Sequence, residues 1–266
     1  MTDTTNTAAA NGPLAGNVLF YSNPEPLSVE AHGKLGANPV EKPYAFVAGS
    51  HVVPLTVTEF SPAALSYPVI FVGENRQPVA VMGLRPGENL FVDAAGTFKA
   101  EAYIPAYVRR YPFVFANDEA QQRLILCIDR AAPFIVEGGQ AQLFEGNEPS
   151  DYTKQAMEFC NNFETERVRT DSFVQLLKDL DLLVTREAVF TPRNPDGTAA
   201  ESQKIAEYWA VSEDKLKELP AEKLAELRDN GALGQIYAHL VSLLGWDRLI
   251  ALAFQRAAVS TPIANA

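Results

Sequence analysis

The sequence predicts an α+β protein, a β-rich N-terminal body followed by a mainly helical C-terminal part that contains a β-hairpin. Two changes of texture carry this reading. From about residue 17 to 150, short apolar runs rich in Val, Phe and Tyr are broken by Pro and Gly, as strands and tight connections require. From Asp151 the apolar spacing turns helical. Phe159 and Phe163 stand at i,i+4, and Phe173, Leu176, Leu177 and Leu180 make an i,i+3,i+4,i+7 stripe. The expected division is a disordered tail over 1–16, a β-rich body over 17–150, a mainly helical part over 151–259 and a short tail over 260–266.

In the body, the strand candidates are 44–47, 52–57, 69–72, 79–84, 113–115 and 124–128. Gly73 to Gln77 and Asn117 to Gln122 read as hairpin connections. Further on, Leu183 to Phe190 and Ile205 to Val211 are extended in character and flank the turn-forming Asn194-Pro195-Asp196-Gly197. Ser212 then suits an N-cap with Glu213 and Asp214 in the first turn. Pro220 can open the next helix and Gly231 can end it. The last helical stretch carries Ile236, Leu240, Leu243 and Leu244, then Leu249, Leu252 and Phe254 after Gly245.

An internal echo runs through the body. Pro62-Ala63, Tyr67-Pro68 and the apolar run from Val69 are matched by Pro105-Ala106, Tyr111-Pro112 and the run from Phe113. In each case Pro fits the first turn of a short helix, and the second Pro drives the Tyr before it into extended geometry. Duplicated units over 50–97 and 98–147 are one explanation; coincidence in a Pro- and Tyr-rich chain is the other.

Composition excludes several function classes. Apolar residues make up 47% and charged residues 21%, so a core can form without disulfides or metals. The net charge of -11 argues against nonspecific nucleic-acid binding, which needs clustered Lys and Arg. Cys127 lies in an apolar run and reads as a buried reduced thiol. Residues 1–16 lack the basic and apolar regions of a Sec-type signal peptide. No run reaches the roughly 18 consecutive apolar residues of a membrane span. The expected location is the cytoplasm, with export by a route that needs no such signal as the alternative.

No phosphate loop, dinucleotide fingerprint, zinc-protease helix or nucleophile elbow is present. No catalytic residues, metal ligands or cofactor are therefore assigned. His32, His51 and His239 are isolated, and His239 reads as a packed or capping side chain. The most site-like segment is Gly87 to Val92, leading to Tyr103 to Phe113. One helical turn would align Tyr103, Tyr107 and Tyr111, with Arg109 and Arg110 beside them. Two arginines could clamp a carboxylate or phosphate, with Tyr107, Glu88, Asn89 and Asp129 as candidate binding companions. The alternative is that the arginines pair internally with acids such as Glu88, Glu101 or Asp129, and that the tyrosines pack the core.

Glu59-Phe60 with Ala63-Ala64 and Tyr67-Pro68, then Gly87 to Val92, then Tyr103-Ile104-Pro105-Ala106 through Phe113, together resemble the bacterial SapC family. Cys127-Ile128-Asp129 and Tyr237 to Leu243 fit it too, and the similarity spans roughly residues 17 to 256. The resemblance implies a link to bacterial surface layers and brings no catalytic residues to carry over. The expected function is a non-enzymatic binding or accessory protein in surface-layer or envelope functions, with a protein or peptide partner. The alternative is an enzyme, or an enzyme's partner, acting on a peptide or carboxylate-bearing small molecule. A structural subunit that forms homo-oligomers is a third reading.

Overall fold

A computed structural model describes residues 18–118, 123–191, 198 and 201–260. The chain forms two compact units. The smaller takes the chain before Glu41 together with Arg110–Asn162; the larger takes Glu41–Arg109 and the chain from Phe163. The change of texture at Asp151 thus marks the start of the long helix Asp151–Asp179, whereas the compact units interleave along the sequence. Antiparallel sheets in the body and helices toward the C-terminus give the α+β class.

In the smaller unit, three antiparallel strands lie in the order Pro24–Pro26, Arg123–Asp129, Phe113–Asp118. A second sheet places Leu35–Ala37 between Ile135–Glu137 and Ala141–Gln142. Leu35, Phe113, Ile128, Ile135, Leu143 and Cys160 pack into one core cluster. Val114, Ala116 and Cys127, on the other face of the hairpin, pack with Tyr21. This alternation is what a strand pair covered on both faces requires. Cys127 and Cys160 are buried and form no disulfide.

In the larger unit, a five-stranded antiparallel sheet runs Leu183–Phe190, Gln203–Val211, Val69–Val72, Gln77–Val81, Val52–Pro54. Phe60, Tyr67, Phe71, Leu177, Leu182 and Ile236 are buried in this unit. Ser212 caps the helix Glu213–Lys217 by accepting from Lys215 N. The stretch Ala232–Ala257 is apolar enough, by length and composition, to match a membrane span. In this fold it is two helices, Ala232–Ser242 and Gly245–Ser260, whose inward faces bury Ile236, His239, Ser242, Trp246 and Leu249.

The sequence echo corresponds to the same order of elements in each copy, although both short helices belong to the larger unit. A short helix (Phe60–Ala64, Ala106–Arg109) precedes Tyr-Pro, and a hairpin follows. In both cases the proline carbonyl accepts from the second hairpin strand: Val81 N to Pro68 O at 2.9 Å, Asp129 N to Pro112 O at 2.8 Å. The likeness extends to a third strand, which lies inside 50–97 in the first copy but far upstream of 98–147 in the second. Val52 pairs with Val81 and Pro24 with Asp129, and the strands continue as Pro54-Leu55-Thr56-Val57 and Pro26-Leu27-Ser28-Val29. Leu55 N donates to Pro78 O and Leu27 N to Leu126 O, at equivalent places. Ser28 then caps the helix Val29–His32, while the Glu59 carboxylate reaches back to Thr56 N at 2.8 Å.

Two local expectations are corrected. Residues 44–47 do not form a strand; Ala45–Val47 is a 3-10 turn, with Tyr44 tied to the Gly96 carbonyl. The helix expected to align three tyrosines is only Ala106–Arg109. Pro105 starts it and Tyr111-Pro112 lies beyond its end, so Tyr103 and Tyr111 leave its axis. The Asn194 to Gly197 turn lies outside the described residues, as does most of the 117–122 connection.

Candidate functional site

After the strand Gln77–Val81 the chain must turn back over the sheet, and Gly83 permits it. A Cβ at Gly83 would lie 2.1 Å from the Glu88 carbonyl oxygen, so a side chain there would displace the Gly87 to Val92 segment. Asn89, fully buried, locks that segment: its Nδ2 donates to Val47 O at 3.2 Å, and its Oδ1 accepts from Phe91 N at 2.9 Å. A narrow loop follows. Val92 bridges Phe98, the Asp93 carboxylate accepts from Thr97 N at 2.9 Å, and Gly96 supplies the left-handed turn at φ +67°. The return leg places Lys99, whose backbone N–H donates to Phe91 O at 2.8 Å.

Beside this loop lies a pocket of about 640 Å³ in the larger unit. Leu90, Val92 and Leu252 supply apolar wall, while Asp93, Lys99 and Arg256 supply charge. Arg256, on the last helix, is positioned by two backbone carbonyls, donating to Asn89 O at 2.6 Å and Val92 O at 2.8 Å. Burial lowers the Lys99 pKa from the usual lysine range, and the positive charges of Arg256 and Arg248 lower it further. Two cations, Lys99 and Arg256, thus line one pocket in a protein of net charge -11. A second pocket of about 190 Å³ is lined by Val57, Phe173, Leu176, Gln235 and Arg169. There the cation lies 3.9 Å from Glu166, which offsets its charge.

The residues singled out from sequence take different places. Glu88, Asn89, Tyr107 and Arg109 belong to the larger unit, and Arg110 and Asp129 to the smaller. Arg109 Nε donates to the Ile104 carbonyl at 2.9 Å, and its Nη2 to the Tyr103 hydroxyl at 3.2 Å. Tyr107 packs edge-on against Phe163, ring centroids 6.0 Å apart. Arg110 is buried, with its guanidinium carbon 5.9 Å from the Tyr21 ring centre. Asp129 is fully buried and gathers the N–H groups of Ser22, Asn23 and Ala131 at 2.9–3.0 Å, and the Tyr111 hydroxyl at 3.2 Å. Glu88 is partly buried, its N–H turned to Arg85 O.

Three buried ionisable side chains are held by such bonds. Beside Asp129, Glu59 accepts from Thr56 N, the Thr56 hydroxyl, the Tyr103 hydroxyl and Ala106 N at 2.6–2.9 Å. Burial, with the Glu59 charge adding to it, pushes the Tyr103 phenol up to about 12. His239, fully buried, accepts from Val211 N at 3.1 Å and faces Val69 O at 2.9 Å. Only the tautomer protonated at Nδ1 satisfies both contacts. Burial pushes its pKa down to about 4, against the opposing pull of the Val69 carbonyl and aided by Arg186. Among the described residues no group of three or more His, Cys, Asp or Glu is placed to hold a metal ion.

Sequence reasoning selected the Gly87 to Val92 wall of the larger pocket but missed its cations. Lys99 and Arg256 are distant in sequence and belong to no motif, so only the fold unites them. No curated protein and no solved structure matches the chain. The model of the SapC family does match, over residues 27–249, a span that takes in the Gly87 to Val92 segment, Lys99 and both Tyr-Pro hairpins, and the chain belongs to the SapC family.

Proposed function

We propose that this SapC-family chain is a non-enzymatic binding or accessory protein serving bacterial surface-layer or envelope functions, and that the larger pocket receives its ligand. The observation that carries the reading is a contrast in how polar groups are used. Glu59, Asp129 and His239 are consumed by backbone bonds, whereas Lys99 lines the pocket and makes no ion pair among the described residues. A concave apolar surface with a few convergent polar groups is the usual form of a small-ligand site. In this reading the protein works in the cytoplasm with a protein or peptide partner, and the bound ligand governs that association.

The test is native mass spectrometry of the purified chain after exposure to a small-molecule extract of its host. Expected is a retained adduct that is recovered chemically unchanged and is lost in the pocket-filling variant Leu252→Trp. An adduct that survives Leu252→Trp overturns the assignment of the pocket. Conversion of the captured molecule to a product overturns the non-enzymatic reading in favour of an enzyme.

A further inference from the structure

The ligand class follows from how charge and apolar surface are divided in this pocket, an inference that rests on the binding reading above. Leu90, Val92 and Leu252 line the pocket with apolar surface, and Lys99 and Arg256 line it with positive charge. The two cations differ in freedom. Arg256 is fixed by its bonds to Asn89 O and Val92 O. The Lys99 ammonium lies 6.0 Å from the Phe91 ring centre and forms no ion pair among the described residues. An anion entering here gains a mobile donor and a fixed positive field, without having to break an ion pair of Lys99.

Asp93 lines the same pocket and disfavours a doubly charged group such as a phosphate monoester, since like charges at close range repel. The remaining surface rewards burial of hydrocarbon at about 25 cal/mol per Å². We propose that the pocket binds a monoanionic amphiphile, a carboxylate held by Lys99 and Arg256 with its apolar body against Leu90, Val92 and Leu252. Burial first, and then the Arg256 and Arg248 charges, depress the Lys99 pKa, and an incoming carboxylate offsets the second of these effects.

The experiment is isothermal titration of the full chain with decanoate, decanol and decyl phosphate, each below its micellar concentration and at fixed ionic strength. The wild type is compared with Lys99→Met and Leu252→Trp. Decanoate is expected to bind at least roughly tenfold more tightly than decanol and than decyl phosphate, the size of one charge-assisted hydrogen bond. Lys99→Met is expected to remove about that factor for decanoate and to leave decanol unchanged. Equal affinities for decanoate and decanol, or decanoate binding indifferent to Lys99→Met, overturn the anion assignment and leave the pocket standing. Tighter binding of decyl phosphate overturns the monoanion assignment. No saturable binding of any probe, or binding indifferent to Leu252→Trp, overturns both this inference and the reading beneath it.

Discussion

Replacing Glu59 by alanine tests the claim that its carboxylate organises the larger unit. The side chain is only 5% exposed and accepts four hydrogen bonds. On its removal the Thr56 hydroxyl can turn toward Thr58, 3.3 Å away. The N–H groups of Thr56 and Ala106 and the Tyr103 hydroxyl lose their acceptor. A buried donor left unsatisfied costs about 1–3 kcal/mol, and loss of a helix cap costs about 1 kcal/mol. Water can reach the half-buried end of the network, so the expected total is about 3–5 kcal/mol. For a chain of this size that lowers Tm by roughly 10 °C.

Both tryptophans, Trp209 and Trp246, lie in the larger unit. Urea unfolding followed by tryptophan fluorescence therefore reports the relevant transition. Glu59→Gln keeps one acceptor oxygen and turns the other into a donor, so its loss falls between those of wild type and alanine. A cost below about 1 kcal/mol for Glu59→Ala refutes the reasoning, because it is less than one orphaned buried donor.

The His239 pKa, lowered to about 4 by burial, sets the sign of a pH effect. The unfolded chain binds this proton more readily than the folded one, so stability is full above about pH 6.5, falls as pH drops toward 4, and is level below that. The loss reaches about 3 kcal/mol. His239→Gln should flatten this part of the urea-midpoint profile between pH 6.5 and 4; an identical slope in wild type and variant refutes it. Asp129→Asn should release the turn held at Ser22, Asn23 and Ala131. Hydrogen exchange read by mass spectrometry should show peptides from this turn exchanging at least roughly tenfold faster, the equivalent of one lost hydrogen bond to a charged group. Unchanged protection refutes the role assigned to Asp129.

Local signals in the sequence translate directly where one element decides its own conformation. Leu183–Phe190 carries β-favouring Val184, Thr185, Val189 and Phe190, and Ser212 with Glu213 and Asp214 forms a helix start; both form as expected. The three-tyrosine helix fails because i,i+4 spacing describes a helix only where the backbone can continue one, and the prolines at 105 and 112 limit it to a single turn. Strands such as Leu35–Ala37 and Ile135–Glu137 span three residues, too few for alternation to register. The Pro-Leu-Ser-Val and Pro-Leu-Thr-Val echo is invisible without the pairing register, since the two stretches stand at different distances from their hairpins. The pocket was half legible. Its wall is legible as the Gly87 to Val92 run, but its cations meet only when the last helix docks Arg256 on Asn89 and Val92.

Because the first segment of the larger unit interrupts the smaller in sequence, the smaller unit's first strand leaves the ribosome long before its partner exists. Val52–Pro54 meets its neighbour Gln77–Val81 within a short stretch of synthesis, but Pro24–Pro26 must wait for Arg123–Asp129. At about 5–20 residues per second, that wait lasts roughly 5–20 s, during which the strand's backbone is open to wrong pairings. Two of its three residues are proline and offer no N–H to a passing chain. The same residues keep this strand at the finished sheet's edge, so one choice of sequence guards the nascent chain and the mature protein alike.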